Sequence, residues 1–285
     1  MHAEILVIRT ADALKTWARS QKTAGKTIGL VPTMGYLHDG HRSLIEAAVR
    51  TCDVVVVSDF VNPTQFGPSE DYATYPRDEA KDMALCEDAG AHVLFVPSVE
   101  TLYPHGQDSS WVEVNHLGDH FCGAQRPGHF RGVTTVVMKL LLLSHADKAF
   151  FGEKDYQQLT IIRRMVADFG VDCEIVGCPL VREKDGLALS SRNVNLGPKA
   201  RQDALVLHRG LLAARAQFET GERRVEVLLQ AARRVIETVA EASVQYIEVA
   251  DPDTLDIFRD KTGERAQMLM AVRVGGVRLI DNMRL

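Results

Sequence analysis

No apolar run in the 285-residue sequence is long enough to span a bilayer. The most apolar stretch, 133–143, is about eleven residues and contains Lys139, where a spanning helix needs about 20. The N-terminal run 1–14 carries Glu4, Arg9 and Asp12, which excludes a secretory signal. Cysteines are few: Cys52, Cys86, Cys122, Cys173 and Cys178 form no C-x-x-C pair. An odd, scattered set reads as reduced thiols in a cytoplasmic protein and argues against structural zinc. Basic charge is not in excess either, with 33 Lys and Arg against 38 Asp and Glu and a net charge of -5. Without a basic face, nucleic acid is not an expected partner. Missing too are the P-loop word G-x-x-x-x-G-K-[ST], the dinucleotide word G-x-G-x-x-G and the nucleophile elbow G-x-S-x-G. Those absences argue against a P-loop enzyme, a dinucleotide dehydrogenase and a hydrolase of the elbow type.

What is present is an ordinary globular composition, 46% hydrophobic and 25% charged, able to bury a large core. Through the first two thirds, β-branched runs alternate with stretches of helical period. The pattern predicts strands at Thr27–Val31, Asp53–Asp59, His92–Val96, Lys148–Phe151 and Cys173–Val176. Between them it predicts helices at His41–Thr51, Asp78–Ala89, Val133–Ser144 and Asp155–Phe169. Near-continuous apolar strands separated by helices make a parallel sheet covered on both faces. The fold class is therefore α/β, a doubly wound parallel sheet of Rossmann-like type.

The polar stretch Arg182-Glu183-Lys184-Asp185-Gly186 breaks that pattern and marks a boundary, giving domains 1–181 and 182–285. The second reads as a smaller α+β domain. Helices are expected at Pro198–Thr220 and Arg224–Ala240, and strands at Val244–Val249, Ala266–Val274 and Gly276–Asp281. Gly275-Gly276 suits a hairpin between the last two.

Chemistry concentrates where strands end. After the first predicted strand, Pro32-Thr33-Met34-Gly35-Tyr36-Leu37-His38-Asp39-Gly40-His41 delivers the chain into a helix. A helix N-terminus offers unsatisfied N–H groups and partial positive charge, which suit phosphate. His38 and His41, three residues apart, can face one ligand and stabilise charge as pyrophosphate leaves. Phe151-Gly152-Glu153-Lys154-Asp155-Tyr156-Gln157-Gln158 repeats the strand-to-helix setting. There Lys154 can neutralise phosphate and Asp155 can cap the helix. Leu189-Ser190-Ser191-Arg192-Asn193 places two hydroxyls beside a guanidinium, a phosphate clamp in a loop able to close over ATP. In Phe60-Val61-Asn62-Pro63-Thr64-Gln65-Phe66-Gly67, the amide of Gln65 suits a small polar substrate. In Arg126-Pro127-Gly128-His129-Phe130-Arg131-Gly132, Arg131 and His129 read either as a pocket wall or as surface ion pairs.

Taken together, H-x-G-H after a strand and a later S-S-R resemble the HIGH-type nucleotidyltransferase superfamily. The longer words VPTMGYLHDGH, FVNPTQF, RPGHFRGV, FGEKDYQQL, GLALSSRN and GGVRLIDN, in this order, resemble the pantoate–β-alanine ligases. The likeness runs from Val31 to Asn282. It implies that pantoate attacks the α-phosphate of Mg²⁺·ATP, pyrophosphate leaves, and β-alanine displaces AMP from the pantoyl adenylate to give pantothenate. It further implies an ATP site formed by Met34, Gly35, Tyr36, Leu37, His38, Asp39, Gly40, His41, Gly152, Glu153, Lys154, Asp155, Val181, Leu189, Ser190, Ser191 and Arg192. His38, His41, Lys154 and Arg192 would act on the phosphates, and Gln65 and Gln158 would grip pantoate. Asp82 is the implied metal candidate, the smaller domain would close over the site, and a homodimer is expected. Two departures stand out: Thr64 replaces the family's usual methionine, and Lys81 precedes Asp82 where some members have adjacent acids.

Overall fold

A computed structural model of the chain describes residues 4–68 and 70–285. In chain order the elements are β1 (Leu6–Ile8), α1 (Ala11–Thr23), β2 (Ile28–Thr33), α2 (Asp39–Thr51), β3 (Val54–Asp59), α3 (Glu79–Asp88), β4 (Val93–Phe95), α4 (Val99–Leu102), α5 (Phe121–Gln125) and α6 (His129–Ser144). They continue with β5 (Lys148–Gly152), α7 (Tyr156–Asp168), β6 (Glu174–Cys178), α8 (Pro198–Asp203), α9 (Leu205–Glu219), α10 (Val225–Ile236), β7 (Ser243–Ala250), β8 (Gln267–Val274) and β9 (Val277–Arg284). Single 3₁₀ turns occupy Pro63–Gln65, Glu153–Asp155 and Ser191–Asn195. No helix of the described residues is long and apolar enough to cross a membrane.

The chain divides into two compact units. The first takes the chain up to Asn115, Arg126–Glu153 and Ile161–Pro179; the second takes His116–Gln125, Lys154–Thr160 and Leu180–Leu285. The first holds a six-stranded parallel sheet in the order β1-β4-β3-β2-β5-β6. Val54–Val57 and Ile28, Leu30 and Val31 are all but inaccessible, as strands covered on both faces must be. On one face α2 and α3 bury Leu44, Ile45, Ala48 and Cys86 against Val31, Val55, Val57 and Leu94. α1 and α6 pack together and reach β2. Strand order reverses at β2, whose neighbours are β3 and β5; ligands in open α/β sheets bind outside the carboxyl ends at such a point.

The second unit is a three-stranded antiparallel sheet, β7-β8-β9, with α9 and α10 packed together. Met268, Met270 and Val272 join Leu211, Ala214, Leu228 and Ala232 in its core, while Phe121, Tyr156, Leu255 and Leu269 form a separate cluster. The hairpin predicted at Gly275-Gly276 is present, both glycines having positive φ and Val274 pairing Val277.

The five predicted strands of the parallel sheet and its doubly wound class are present, and so is the α+β character of the C-terminal segment. Some details differ, among them the short helices α4 and α5, which were not predicted. β1 and α1 went unpredicted: β1 is three residues at a sheet edge, with Leu6 exposed, so neither its length nor its pattern announces a strand. α6 begins at His129 rather than Val133, because Gly128 adopts φ 81° and opens the helix directly after Pro127. The helix expected over 198–220 divides into α8 and α9 at Ala204.

Candidate active site

At the carboxyl end of β2, Thr33 is fastened to β3: its hydroxyl donates to the Ser58 carbonyl at 2.6 Å and accepts the Gly35 N–H at 3.2 Å. The chain then turns through two left-handed residues, Gly35 at φ 75° and Tyr36 at φ 50°. Gly35 is obligatory on two counts, since a Cβ there would also stand 2.2 Å from Asp59 Oδ1. The next two amides, of Tyr36 and Leu37, both donate at 2.6 Å to the carboxylate of Asp82 on α3.

His38 caps α2. Its Nδ1 accepts the Gly40 N–H at 3.1 Å, and His41 Nδ1 accepts the His38 N–H at 3.3 Å, a reciprocal box made of two imidazoles. An Nδ1 that accepts carries no hydrogen, so in both neutral rings the hydrogen sits on Nε2. The ring centroids are 4.1 Å apart. The geometry thus presents two Nε2–H donors side by side on the first turn of a helix, at the sheet's switch point. Such a pair, with the helix dipole behind it, is suited to phosphoryl oxygens.

Gln65 lies on the 3₁₀ turn after β3 and is buried. Its Oε1 accepts from Asn62 Nδ2 at 3.0 Å, and its Nε2 lies 3.1 Å from Met34 Sδ, which brings the two expected segments together. Asn62 Oδ1 accepts from the Tyr103 hydroxyl at 2.8 Å and from the Thr64 hydroxyl at 3.0 Å. Thr64, the departure from the family's methionine, therefore adds a polar tie to Asn62. The turn sits against α6 so tightly that a Cβ on Gly132 would lie 2.4 Å from the Thr64 carbonyl oxygen.

The basic segment before and within α6 divides its work. Arg126 holds Glu70 with a bidentate fork at 2.6 and 2.7 Å. Burial alone would raise the Glu70 carboxyl, but the guanidinium outweighs it and holds the group below its usual value. His129 is buried rather than a surface ion-pair partner, and Arg131 stacks over Trp111 at 4.4 Å.

Gly152 ends β5, beside β2 in the sheet, and Glu153 begins the 3₁₀ turn that follows. Lys154, Asp155 and Gln158 belong to the second unit, as do Val181 and Leu189–Arg192. Within that unit a short hairpin carries the serine–arginine segment: Arg182 bridges Ala188, and the Leu189 N–H donates to the Val181 carbonyl at 3.0 Å. Ser190 accepts the Arg192 N–H at 3.3 Å and so opens the 3₁₀ turn at Ser191. Arg182 ties the hairpin to β9 through a bidentate pair with buried Asp281 at 2.7 and 2.9 Å. The neighbouring Asn282 donates from Nδ2 to the Lys154 carbonyl at 2.9 Å. The terminal word GGVRLIDN thus secures both segments expected at the phosphates, a role that local pattern did not suggest.

Asp82, the metal candidate, is fully buried, with both oxygens committed to backbone amides and a further hydrogen bond to Asp59. That environment does not fit a metal ligand. Among the described residues, no group of three or more His, Cys, Asp or Glu is placed to hold a metal. Burial first, and then the Asp82 charge, push the Asp59 carboxyl up to about 7. Asp82 is raised too, burial outweighing its backbone donors. Asp59, Glu70, Asn62 and Asn282 were not expected to position the site; of these Asn62 meets Gln65 and Asn282 meets the Lys154 backbone, both residues chosen from the sequence words.

Comparison with known proteins decides the family. The pantoate–β-alanine ligase family model matches residues 6–284. The chain belongs to this family. A pantothenate synthetase of Geobacter sulfurreducens is 49% identical over 276 residues, covering 97% of each chain. Pantothenate synthetase 1 of Bradyrhizobium diazoefficiens is 51% identical over 276 residues, covering 97% of this chain and 96% of its own. Among solved structures, the pantothenate synthetase of Thermus thermophilus superposes with a TM-score of 0.91 at 46% identity, covering 98% and 99% of the two chains. The pantoate–β-alanine ligase of Francisella tularensis, solved with β,γ-ATP and β-alanine, gives 0.80 at 35% identity over 98% and 97%. The six-stranded Rossmann-like sheet with a smaller three-stranded unit is the fold of these ligases, and the chain is an enzyme of their kind.

Proposed function

We propose that this enzyme joins pantoate to β-alanine at the expense of ATP, through a pantoyl adenylate. The observation that carries the reading is the reciprocal His38–His41 cap, which orients both Nε2–H groups at the switch point of the sheet. A pantoate carboxylate oxygen attacks the α-phosphorus, and the bond to the bridging oxygen of pyrophosphate breaks. The two imidazoles and the α2 N-terminus stabilise the charge that gathers on the phosphoryl oxygens. The family resemblance assigns Lys154 and Arg192 to the same phosphates, and Gln65 and Gln158 to pantoate. The deprotonated amine of β-alanine then attacks the acyl carbon, AMP departs, and the amide of pantothenate forms. Positioning and charge stabilisation suffice for both steps. Magnesium would enter with the nucleotide and would supply charge neutralisation at its phosphates. A cytoplasmic homodimer completes the reading.

The test is incubation with ATP, pantoate and β-alanine, and separately with ATP and pantoate alone. The expected result is AMP, pyrophosphate and pantothenate in equal amounts from the first mixture, and pantoate-dependent exchange of pyrophosphate into ATP in the second. An adenylated compound accumulating as the end product would make the enzyme an adenylyltransferase. Absence of any AMP release would leave only a nucleotide-binding module.

A further inference from the structure

The strongest unassigned feature lies beneath the turn that precedes α2. Asp82 accepts two main-chain N–H bonds at 2.6 Å, and they come from the two residues that most need holding. Tyr36 is left-handed without being glycine, a conformation that persists only when its surroundings over-determine it. Leu37 leads straight into His38, the cap of α2. Asp59 closes the arrangement from the end of β3. Its carboxyl hydrogen-bonds Asp82, and the room left for residue 35 admits glycine alone, a Cβ coming within 2.2 Å of Asp59 Oδ1 and 3.1 Å of Asp82 Oδ2. Asp82 already accepts two N–H bonds as an anion would, so the hydrogen between the carboxyls belongs to Asp59. Asp78, Glu79, Arg77 and Cys86 are the other charged or titratable groups acting on this pair.

We infer that Asp82 is the positioning residue of the turn: it fixes the Tyr36 and Leu37 amides, and through them His38 and His41, with Asp59 as its hydrogen-bond donor. Asp82 touches no reacting atom; it acts by holding the backbone that aims the imidazoles. The inference rests on reading that turn as a nucleotide site.

Three near-isosteric variants test it. In Asp82→Asn the amide nitrogen opposes one of the two backbone donors. In Asp59→Leu the donor to Asp82 is lost, whereas Asp59→Asn restores it with an amide N–H. ATP affinity, measured by calorimetric titration without pantoate, is expected to fall about tenfold or more in Asp82→Asn and Asp59→Leu and to stay near wild type in Asp59→Asn. Pantoate affinity in the absence of nucleotide should be unchanged in all three. A purely structural role would lower both affinities together with the unfolding midpoint, and that outcome overturns the inference. So does wild-type ATP affinity in Asp82→Asn, or equal losses in the two Asp59 variants. Where Asp82→Asn fails to fold, the two Asp59 variants decide alone. Wild-type enzyme that binds ATP but releases no AMP refutes the proposed reaction and leaves this inference standing.

Discussion

His129 donates its Nδ1–H to the backbone carbonyl of Gln65 at 2.8 Å, while its Nε2 accepts from Arg126 at 2.9 Å. A carbonyl can only accept and a guanidinium can only donate, so the ring is fixed as the neutral Nδ1–H tautomer. Glu70, Arg126, His129 and Gln65 form one chain of polar contacts, most of it shielded from water, and it ends on a residue assigned to pantoate. Replacing His129 with alanine takes from the Gln65 carbonyl its shorter donor, leaving only the Arg126 Nη2 bond at 3.3 Å, and takes from Arg126 Nη1 its acceptor, each loss worth roughly 0.5–1.5 kcal/mol. The expected outcome is a pantoate KM raised about tenfold or more with the ATP KM little changed. Steady-state kinetics on a variant shown to be folded checks this, and an unchanged pantoate KM would remove His129 from the positioning of Gln65.

Asp59 makes stability depend on pH in an unusual direction. Its folded-state value of about 7 lies above the ordinary 3.8. The folded protein therefore binds a proton that the unfolded chain has released, and the contribution is complete below about pH 4 and lost as pH rises through about 7. Carboxylates held below their usual value, such as Glu70 and Asp147, pull the other way and at lower pH. The informative quantity is thus the difference between wild type and Asp59→Asn. Denaturant midpoints between pH 4 and 8 should show wild type losing a few kcal/mol relative to the variant across that range. Parallel curves for the two proteins would mean that Asp59 is ionised throughout.

The sheet was legible because its strands announce themselves: Val54–Val57 has no other sensible place than a buried parallel strand. β1 was not, since three residues with an exposed leucine at an edge leave no periodic trace. The imidazoles of the site were equally readable, because residue type, spacing and a glycine at helix entry all lie within ten positions of one another. What orients them was hidden. Asp82 is 45 residues from Leu37, Arg126 is 56 from Glu70 and Asn282 is 128 from Lys154. Each of these groups looks, in sequence, like an ordinary polar residue on a helix, loop or strand. Only the fold shows that it is buried and what it meets. The metal reading of Asp82 arose in the same way: an acid near a turn read as a phosphate site suggests an ion, and neither its burial nor its two amide donors is visible in sequence.

A similar hidden contact governs the hairpin that carries Ser190 to Arg192. The Arg182 guanidinium donates to Asp281 in a fork and also to the Gly186 carbonyl at 3.0 Å, so one side chain closes the hairpin and ties it to β9. The Asp281 side chain is 2% accessible and that of Arg182 19%. Removing one member of a buried pair strands the other, which costs about 3–5 kcal/mol, whereas replacing both with apolar residues of similar volume is often neutral. Asp281→Asn is therefore expected to destabilise the C-terminal unit by about that amount, and the double replacement Arg182→Met with Asp281→Leu to recover most of it. The double variant nevertheless lacks the bond to Gly186, so proteolysis within 182–189 should be faster than in wild type even where stability has returned. Equilibrium unfolding and limited digestion separate the two effects. Protease resistance equal to wild type in the double variant would show that the hairpin is held by its Glu183 and Asn193 contacts instead.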